Sequence, residues 1–315
     1  MKVYRSFDEI ERKAESVITT GTFDGVHKGH KIILDRLKYI SRHSGLRHVL
    51  VTMHPHPRIV LQRTGLQPLE LLTNINERLH LFEHYGIGHV LVIPFTYEFS
   101  CTPPDVFIRD YLHGMIGMEK ILVGYDHMFG KNREGNMQLL NELSEELNFS
   151  IEKIEAFSEN DTVISSTKIR QAIKTSELAR AREMLGYDYF LTGQVVHGDA
   201  RGAQIGFPTA NIRPTDEYKL MPGKGVYFVS AVIDGKINYG MANIGTRPTF
   251  TDDIYPRLEI HFFDFDRDIY GMTITVKFLE FIRPERKFSG PDEFRAQLEK
   301  DRSKCFALMK KRALK

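Results

Sequence analysis

The stretch from Gly21 to His30, GTFDGVHKGH, combines glycines, an aspartate and two histidines. A short apolar run, SVITT, precedes it, and apolar residues at helical spacing follow it from Lys31 to Arg42. The stretch is therefore predicted to be a turn between a strand and a helix. Unpaired backbone N–H groups and the positive end of the helix dipole make such a turn favourable for a phosphate.

His27 and His30 are three residues apart, so they are predicted to share one face of the helix start. Imidazoles placed there donate hydrogen bonds to phosphate oxygens and stabilise charge that develops during phosphoryl-type transfer. Gly25 and Gly29 would let the backbone approach a ligand closely. From these residues alone two alternatives stay open. One is a zinc-binding pair, although no Cys or acidic set accompanies it; the other is a glycine-rich turn with surface histidines.

Three further segments carry polar side chains: two follow predicted strands and the third begins a predicted helix. The loop Pro55–Pro57 is predicted to be extended because its prolines fix the backbone. Asp126 follows a later apolar run and could bond a sugar or a base. The run Ser165–Thr167 is predicted to begin a helix with Arg170 one turn later, which together form an anion site. A plain surface loop and simple N-capping hydroxyls are the respective alternatives.

A second group of candidate residues lies between Gly193 and Asn211. Its glycines predict a mobile flap over phosphates, and no Gly-Lys-Ser/Thr ends it as in a Walker loop. Thr209 and Asn211 share a face if the segment is extended, so both could reach one Mg²⁺ or its phosphates. Glu259 alternates with buried apolar residues on a predicted strand and would face a cleft mouth. A turn and a solvated strand carboxylate are the alternatives here.

The elements that must position these residues differ between the two halves of the chain. In the first half, apolar strand-like runs such as His89–Phe95 alternate with helical patterns such as Pro104–Gly114, which predicts a parallel sheet covered on both faces. Ligands in such sheets bind at the carboxyl ends of the strands. After two helices and a predicted helix end at Gly186, short alternating strands with Asp234–Gly235 as a hairpin turn predict a small antiparallel barrel. A helix from Pro291 to Lys311 closes the chain.

Size and composition limit the function classes. A chain of 315 residues predicts two domains, 1–186 and 187–315. A net charge of +2 does not favour nucleic-acid binding, and no window reaches membrane-spanning length. Cys101 and Cys305 predict no disulfide framework, so a cytoplasmic location is expected. The oligomeric state stays open.

The four segments GTFDGVHKGH, PHP, GYDHMFG and ISSTKIR, in this order, resemble the adenylyltransferase half of the bifunctional bacterial riboflavin kinase/FAD synthetase family. The glycine-rich flap, PTAN, GMANIGTRPTF and LEIHFFDFDRDIYG resemble its riboflavin kinase half. The resemblance covers about Ser16 to Arg302. It implies a Rossmann-like nucleotidyltransferase parallel sheet followed by a six-stranded antiparallel β-barrel. His127 departs from the more frequent Phe, and Met53–His54 from a more frequent aromatic residue.

The resemblance implies that ATP phosphorylates riboflavin to FMN, and that a second ATP adenylylates FMN to FAD with release of pyrophosphate. It implies that Glu259 is the kinase base, that His27 and His30 stabilise the α-phosphate, and that Mg²⁺ is needed. Implied phosphate contacts in the adenylyltransferase are Gly21, Phe23, Asp24, Gly29, Ser165, Ser166, Thr167 and Arg170; implied FMN or nucleotide contacts are Pro55, His56, Pro57 and Asp126; implied kinase contacts are Gly198, Gly202, Gly206, Pro208, Thr209 and Asn211, with Thr209 and Asn211 on the metal.

Two other functions remain compatible with the same residues. The first half could transfer a nucleotide to another phosphorylated acceptor while the barrel acts as a regulatory flavin-binding domain. Alternatively, the chain could be a flavin or nucleotide sensor that binds without turnover.

Overall fold

The chain folds into two compact units, Met1–Ser166 and Thr167–Lys315. The computed structural model describes residues 1–13, 15–62, 69–124, 128–155, 158–159, 162–198, 206–245 and 256–313. Within these ranges no helix is long and apolar enough to cross a membrane.

The first unit is built on a six-stranded sheet in which every pair of neighbouring strands is parallel. Its strands are β1 Lys2–Tyr4, β2 Ser16–Thr20, β3 Arg47–His54, β4 His89–Pro94, β5 Met118–Gly124 and β6 Ser150–Ile154, in the spatial order β1-β4-β3-β2-β5-β6. The order reverses direction between β2 and β5, so the crevice at their carboxyl ends is the expected place for a ligand. The predicted parallel sheet is confirmed.

Helices cover this sheet because its central strands are apolar on both faces, with Val17, Ile18 and Val49 fully buried. The helical segments are α1 Lys28–Ser44, α2 Pro57–Val60, α3 Ile75–His84, α4 Tyr97–Ser100, α5 Pro104–Val106 and α6 Met137–Leu147, with a π-helix at Phe107–Ile116 and 3₁₀ turns at Phe7–Glu9 and Lys131–Arg133. A two-residue ladder, β7 Ser158–Glu159 with β8 Thr162–Val163, follows β6.

Three features of this unit differ from the sequence-based expectations. Strand β1 was not predicted, because three residues are too few to show a pattern. The helix predicted at Pro104–Gly114 continues as a π-helix to Ile116 and ends at Gly117, which has φ +87°. The loop predicted to be extended at Pro55–Pro57 instead leads into the single turn α2, with Pro57 at its first position, where its missing N–H costs no hydrogen bond.

Helix α7, Ser166–Lys174, begins at the last residue of the first unit. The second unit contains the rest of α7, helix α8 Leu178–Leu185, a closed barrel and a long final helix α9, Pro291–Ala313. The barrel strands are β9 Phe190–Val196, β10 Ala210–Pro214, β11 Gly225–Ile233, β12 Lys236–Gly245, β13 Arg257–Phe262 and β14 Thr273–Arg283. They close in the order β10-β13-β12-β11-β14-β9, and every pairing is antiparallel. The predicted six-stranded antiparallel barrel is confirmed.

Turn chemistry and helix packing explain two local features of the barrel unit. Asp234 and Gly235 have φ values of +49° and +75°, which is the backbone of a two-residue hairpin turn that matches strand twist. Helix α9 buries Cys305 against the barrel and pairs Asp301 with Arg283 at 2.9 Å. Because Asp301 is only 3% exposed, removal of Arg283 would leave a buried carboxylate without its cation.

Gly193, expected to belong to the flap, lies inside strand β9 and pairs with Pro214 and Ile274. This position needs glycine for a steric reason and not because of its backbone conformation. A Cβ at Gly193 would lie 2.5 Å from Cγ2 of Ile212 and 2.6 Å from the carbonyl oxygen of Arg213. Glycine is therefore required for β9 to approach β10.

We expect Gly193→Ala to destabilise the barrel by about 1–3 kcal/mol, since the new methyl group meets backbone that cannot move aside. Denaturant unfolding followed by near-UV circular dichroism would measure the loss. Gly290→Ala is the matched control, because no heavy atom lies within 4 Å of its Cβ, and its effect should stay within about 0.5 kcal/mol. Equal effects of the two substitutions would contradict the steric explanation.

Candidate active sites

The turn after β2 has a strained backbone that neighbouring groups hold in place. Phe23 and Val26 have positive φ values of +49° and +33°, which side chains of this size rarely adopt. The Asp24 carboxylate is buried and accepts hydrogen bonds from the backbone N–H groups of Thr73 at 2.9 Å and Leu72 at 3.1 Å. Asp24 therefore fixes the shape of the turn through its contacts with the Leu72–Thr73 segment.

The two histidines predicted to share a face are stacked on each other. Their ring centroids are 3.6 Å apart and their planes differ by 15°. His27 is the N-cap of α1, and its Nδ1 accepts from the backbone N–H of His30 at 3.3 Å. We therefore assign the proton of neutral His27 to Nε2. A Cβ at Gly29 would lie 3.2 Å from the His27 ring, so glycine is what allows the ring to lie against the first helical turn.

The imidazole of His30 is held in its neutral form. Burial is the largest cause that lowers its pKa well below the usual 6.5, and electrostatic repulsion from His27 and Arg78 lowers it further. Nδ1 of His30 is enclosed and has no hydrogen-bond partner among the described residues. We assign its proton to Nε2 as well. Both rings thus offer an Nε2–H donor, and the ring of His30 carries little charge.

The other residues predicted for this site fall into three groups. Ser166 donates a hydrogen bond from Oγ to the backbone oxygen of Asp24 at 2.9 Å, which brings it and the adjacent Ser165 to the histidine turn. Thr167 and Arg170 follow in α7 and belong to the second unit. Asp126 lies outside the described residues.

The Pro55–Pro57 segment lies at the carboxyl end of β3, the neighbour of β2 in the sheet. His56 is buried, and its Nδ1 accepts from the backbone N–H of Arg58 at 3.1 Å as the N-cap of α2. Gly21 continues the β2–β3 ladder by donating its N–H to the carbonyl of Val51 at 3.1 Å. Backbone pairing thus brings the turn and the proline loop to the same sheet edge.

In the barrel, strand register places two predicted kinase residues, Asn211 and Glu259, in one row with Asn243. Asn211 of β10 lies directly opposite Glu259 of β13, and Glu259 lies directly opposite Asn243 of β12. Directly opposite residues share a face of the sheet. Leu258 and Ile260, the neighbours of Glu259 on β13, are buried. The side chains of Asn211, Glu259 and Asn243 therefore form a polar line on the other face, and the alternation in the sequence predicted this face for Glu259.

Contacts around the row fix the segment that carries Thr209. Nδ1 of His261 lies 2.9 Å from the backbone oxygen of Pro208, which ties this segment to β13. A Cβ at Gly198 would lie 2.6 Å from Cγ of Asn211, so the chain leaving β9 needs glycine to pass the amide. Gly206 has φ +82° and open space around it. Gly202 lies outside the described residues.

Sequence reasoning missed two residues near these sites. Arg78 on α3 is fully buried, and its Nη1 donates to the backbone oxygen of Thr22 at 2.5 Å and to Oγ1 of Thr52 at 3.3 Å. An arginine on the apolar face of a helix pattern was the signal that could have found it. Asn243 lies in the segment GMANIGTRPTF, whose alternation was visible but whose register was not.

The donor chemistry of the two sites differs. In the sheet, imidazole N–H groups and a hydroxyl surround a turn, which suits an anion. Within the described ranges no group of three His, Cys, Asp or Glu side chains could hold a metal ion. In the barrel, hydroxyl, amide and carboxylate oxygens of Thr209, Asn211 and Glu259 belong to one polar segment and its partner strand. Oxygen donors of this kind suit Mg²⁺.

Comparison with known proteins assigns each unit. The family model described as FAD synthetase matches residues 9–168, and that described as riboflavin kinase matches residues 185–309. A Listeria monocytogenes protein named bifunctional riboflavin kinase/FMN adenylyltransferase is 39% identical over 285 residues, which cover 90% of each chain. The chain belongs to the bifunctional riboflavin kinase/FMN adenylyltransferase family. The resemblance stated from the motifs is confirmed.

Other relatives agree over nearly the full length. Proteins of the same name from Bacillus subtilis and Escherichia coli are each 36% identical, and the matches cover 94% and 96% of this chain. A crystal structure from Streptococcus pneumoniae, described as a macrolide-efflux protein, superposes with a TM-score of 0.84 at 31% identity over 96% of this chain and 97% of its own. The two-unit fold of this bifunctional family is thus shared by a solved structure.

We expect the His30 ring to remain neutral as the pH falls through 6.5. The unfolded chain then binds a proton that folded His30 does not, so the stability this residue contributes is complete above about pH 6.5 and declines as the pH falls. Titration of the histidine Cε1 signals by NMR would follow the ring directly. His30→Gln should reduce the pH dependence of unfolding by up to about 1.4 kcal/mol per pH unit, whereas exposed His84→Gln serves as control. Protonation of His30 at or above pH 6.5 would contradict the assignment.

Proposed function

We propose that the barrel phosphorylates riboflavin with ATP to give FMN, and that the sheet unit transfers AMP from a second ATP to FMN to give FAD and pyrophosphate. The observation that carries this proposal is that each half matches one catalytic family and has its own polar cluster. We place the functional boundary near Gly186, at the start of the range that the riboflavin kinase model matches. Two cysteines without a disulfide support a cytoplasmic location.

In the barrel, Glu259 is the base of the first reaction. Its carboxylate takes the proton of the terminal ribityl hydroxyl as that oxygen attacks the γ-phosphorus, and ADP leaves. Asn211, directly opposite Glu259 across the β10–β13 ladder, orients the phosphates together with Thr209. Thr209 and Asn211 would hold Mg²⁺, which neutralises phosphate charge when bound.

The proposed kinase contacts also include the segment before β10. Pro208 is tied to His261, which keeps Thr209 beside β13. Gly198 and Gly206 border the flap, and Gly202 lies within it. Their small size lets the backbone come close to the phosphates of ATP.

In the sheet unit, His27 and His30 act on the α-phosphate of ATP. A phosphate oxygen of FMN attacks the α-phosphorus, a new P–O bond forms, and the bond to the β-phosphate breaks to release pyrophosphate. The two Nε2–H groups donate to the α-phosphate oxygens as charge builds on them. FMN is already ionised at its phosphate, so no protein nucleophile is required.

The remaining proposed contacts serve the same adenylyl transfer. Gly21, Phe23 and Gly29 shape the turn, and Asp24 contributes through its hold on the Leu72–Thr73 segment rather than by meeting an anion directly. Proposed contacts to the departing phosphates are Ser165, Ser166, Thr167 and Arg170; proposed contacts to FMN or the nucleotide are Pro55, His56, Pro57 and Asp126. Hydroxyls and a guanidinium suit phosphate oxygens.

Incubation with riboflavin, ATP and Mg²⁺, followed by separation of the flavins, tests the whole proposal. We expect FMN to appear first and FAD to follow. FAD from supplied FMN without FMN from riboflavin would remove the kinase assignment. Flavin binding without any product would identify a sensor and overturn both assignments.

We expect the double substitution His27→Ala and His30→Ala to abolish FAD formation from supplied FMN, with a loss of about 10²- to 10³-fold for each donor removed. FMN formation by the same variant is the internal control and should be unchanged, because the barrel carries that reaction. The measurement is the initial rate of each step with its own flavin substrate. A parallel fall in both rates would show that the histidines do not serve one reaction alone.

We expect Glu259→Gln to lower the rate of FMN formation by about 10²- to 10⁴-fold, because the amide keeps the shape of the side chain but cannot accept the proton. The variant should still adenylylate supplied FMN. Glu217→Gln, at an exposed carboxylate of the same unit, is the matched control and should retain both rates. Normal kinase activity in Glu259→Gln would exclude this carboxylate as the base.

A further inference from the structure

A second polar cavity lies at the amino-terminal edge of the parallel sheet, at the opposite strand ends from the histidine turn. Lys2, Arg47 and His89 are the first residues of β1, β3 and β4, which are neighbours in the order β1-β4-β3. These residues line a cavity of about 480 Å³ together with Lys13, which lies just before β2. A volume of this size accommodates a small ligand.

The cavity carries an excess of positive charge. Lys2, Lys13 and Arg47 line it, and Glu11 is the one carboxylate among the described lining residues. In the part of the chain that the structure describes, none of the three cations has an ion pair. The ammonium of Lys2 instead lies 5.0 Å from the ring centroid of Tyr4. Two full positive charges in the cavity are therefore not balanced by its own side chains.

Arg47 is held rigidly without being neutralised. Its guanidinium donates to Oγ of Ser16 at 3.2 and 3.0 Å, to the backbone oxygen of Glu11 at 2.8 Å, and to that of Ile116 at 2.9 Å. All of these acceptors are uncharged oxygens, so the bonds fix the orientation of the group and leave its charge in place. They also leave one Nη1 hydrogen for a ligand. A rigid, uncompensated guanidinium is a suitable anchor for a phosphate.

His48 and His89 complete the cavity wall. Both have lowered pKa values, and nearby cations are among the causes, which indicates a positive electrostatic potential in the cavity. Nε2 of His48 accepts from the backbone N–H of Gly88 at 2.7 Å, so its proton is assigned to Nδ1, which faces Oγ of Ser41 at 3.0 Å. Burial lowers the pKa of His89 most, and Arg47, Lys2, Lys13 and the terminal amine lower it further. Burial also lowers the pKa of His48, with smaller contributions from His89, Lys38 and Arg42.

We propose that this cavity binds a diphosphate, either free pyrophosphate or the diphosphate end of a nucleotide. The ammonium groups of Lys2 and Lys13 and the remaining Nη1 hydrogen of Arg47 bond its oxygens. A compact polyanion matches three cations in one small cavity, whereas a single carboxylate would leave most of their charge uncompensated. A diphosphate bound in this cavity links the starts of β1, β3 and β4 to the segment before β2. The site is separate from the reactions proposed above.

Histidine NMR tests this proposal on the full chain. With histidine labelled at ¹³Cε1, pyrophosphate and ADP are titrated separately without Mg²⁺ at constant ionic strength, and the signals of His48 and His89 are assigned from His48→Gln and His89→Gln. We expect both signals to shift saturably. Response to pyrophosphate alone assigns the free anion, and response to both ligands assigns the nucleotide-borne diphosphate as well.

A charge-matched pair of variants separates specific binding from general attraction. We expect Lys2→Gln with Lys13→Gln to raise the dissociation constant read from His48 and His89 about tenfold or more. Lys153→Gln with Lys236→Gln removes the same charge at exposed positions elsewhere and should leave it unchanged. The signals of His27 and His30 report the other sheet edge independently. The proposal is overturned if neither ligand shifts His48 and His89, or if both lysine pairs weaken binding equally.

Discussion

Backbone pairing between neighbouring strands positions both candidate active sites. In the sheet, the β2–β3 ladder runs from Ser16 through Thr20, and Gly21 extends it with its own N–H, so the histidine turn starts where β2 leaves the sheet. In the barrel, the β10–β13 ladder sets Asn211 opposite Glu259. Side chains alternate between faces, so a shift by one residue would turn Glu259 into the core and Leu258 out of it. The chemistry of each unit therefore depends first on strand register.

The histidine turn adds a local requirement to that register. Positive φ values at Phe23 and Val26 cost on the order of 1–3 kcal/mol each. The surrounding contacts maintain this backbone: Asp24 accepts two backbone N–H bonds from the Leu72–Thr73 segment, and Phe23 packs edge-on against Phe82 with ring centroids 5.9 Å apart. The turn is thus held in shape before any ligand arrives. Such preorganisation allows donors to meet developing charge without further reorganisation.

Local pattern was sufficient to predict the elements that positioned most candidate residues. Continuous apolar runs such as His89–Phe95 marked the buried parallel strands, and Asp234–Gly235 marked a hairpin, because burial on both faces and positive φ each restrict residue type locally. Gly193 was misassigned to the flap because its reason for being glycine is a contact with β10, which is distant in sequence. Local pattern cannot show such an approach.

The difference between local pattern and long-range contact also explains why Arg78 was missed at the candidate site. The spacing of His27 and His30 predicted a shared face, and the rings are stacked. Arg78, however, lies 48 residues beyond His30 in the sequence, and its bonds to Thr22 and Thr52 arise only when α3 packs beside β2 and β3. An arginine on the apolar face of a helix pattern indicates a buried cation, but its partners cannot be named until the tertiary contacts are known. Long-range packing, rather than residue type, gives Arg78 its place.

Burial and the charge of Arg78 both lower the pKa of His30. A bound phosphate would change these two contributions in different ways. An incoming phosphate opposes the electrostatic repulsion from His27 and Arg78, which is the smaller cause of the low pKa of His30. It does not remove burial, which is the largest cause and grows when a ligand covers the turn. The neutral ring therefore persists as substrate binds, and its Nε2–H remains a donor without first taking a proton from water. A neutral His30 also avoids the repulsion of two imidazolium rings 3.6 Å apart.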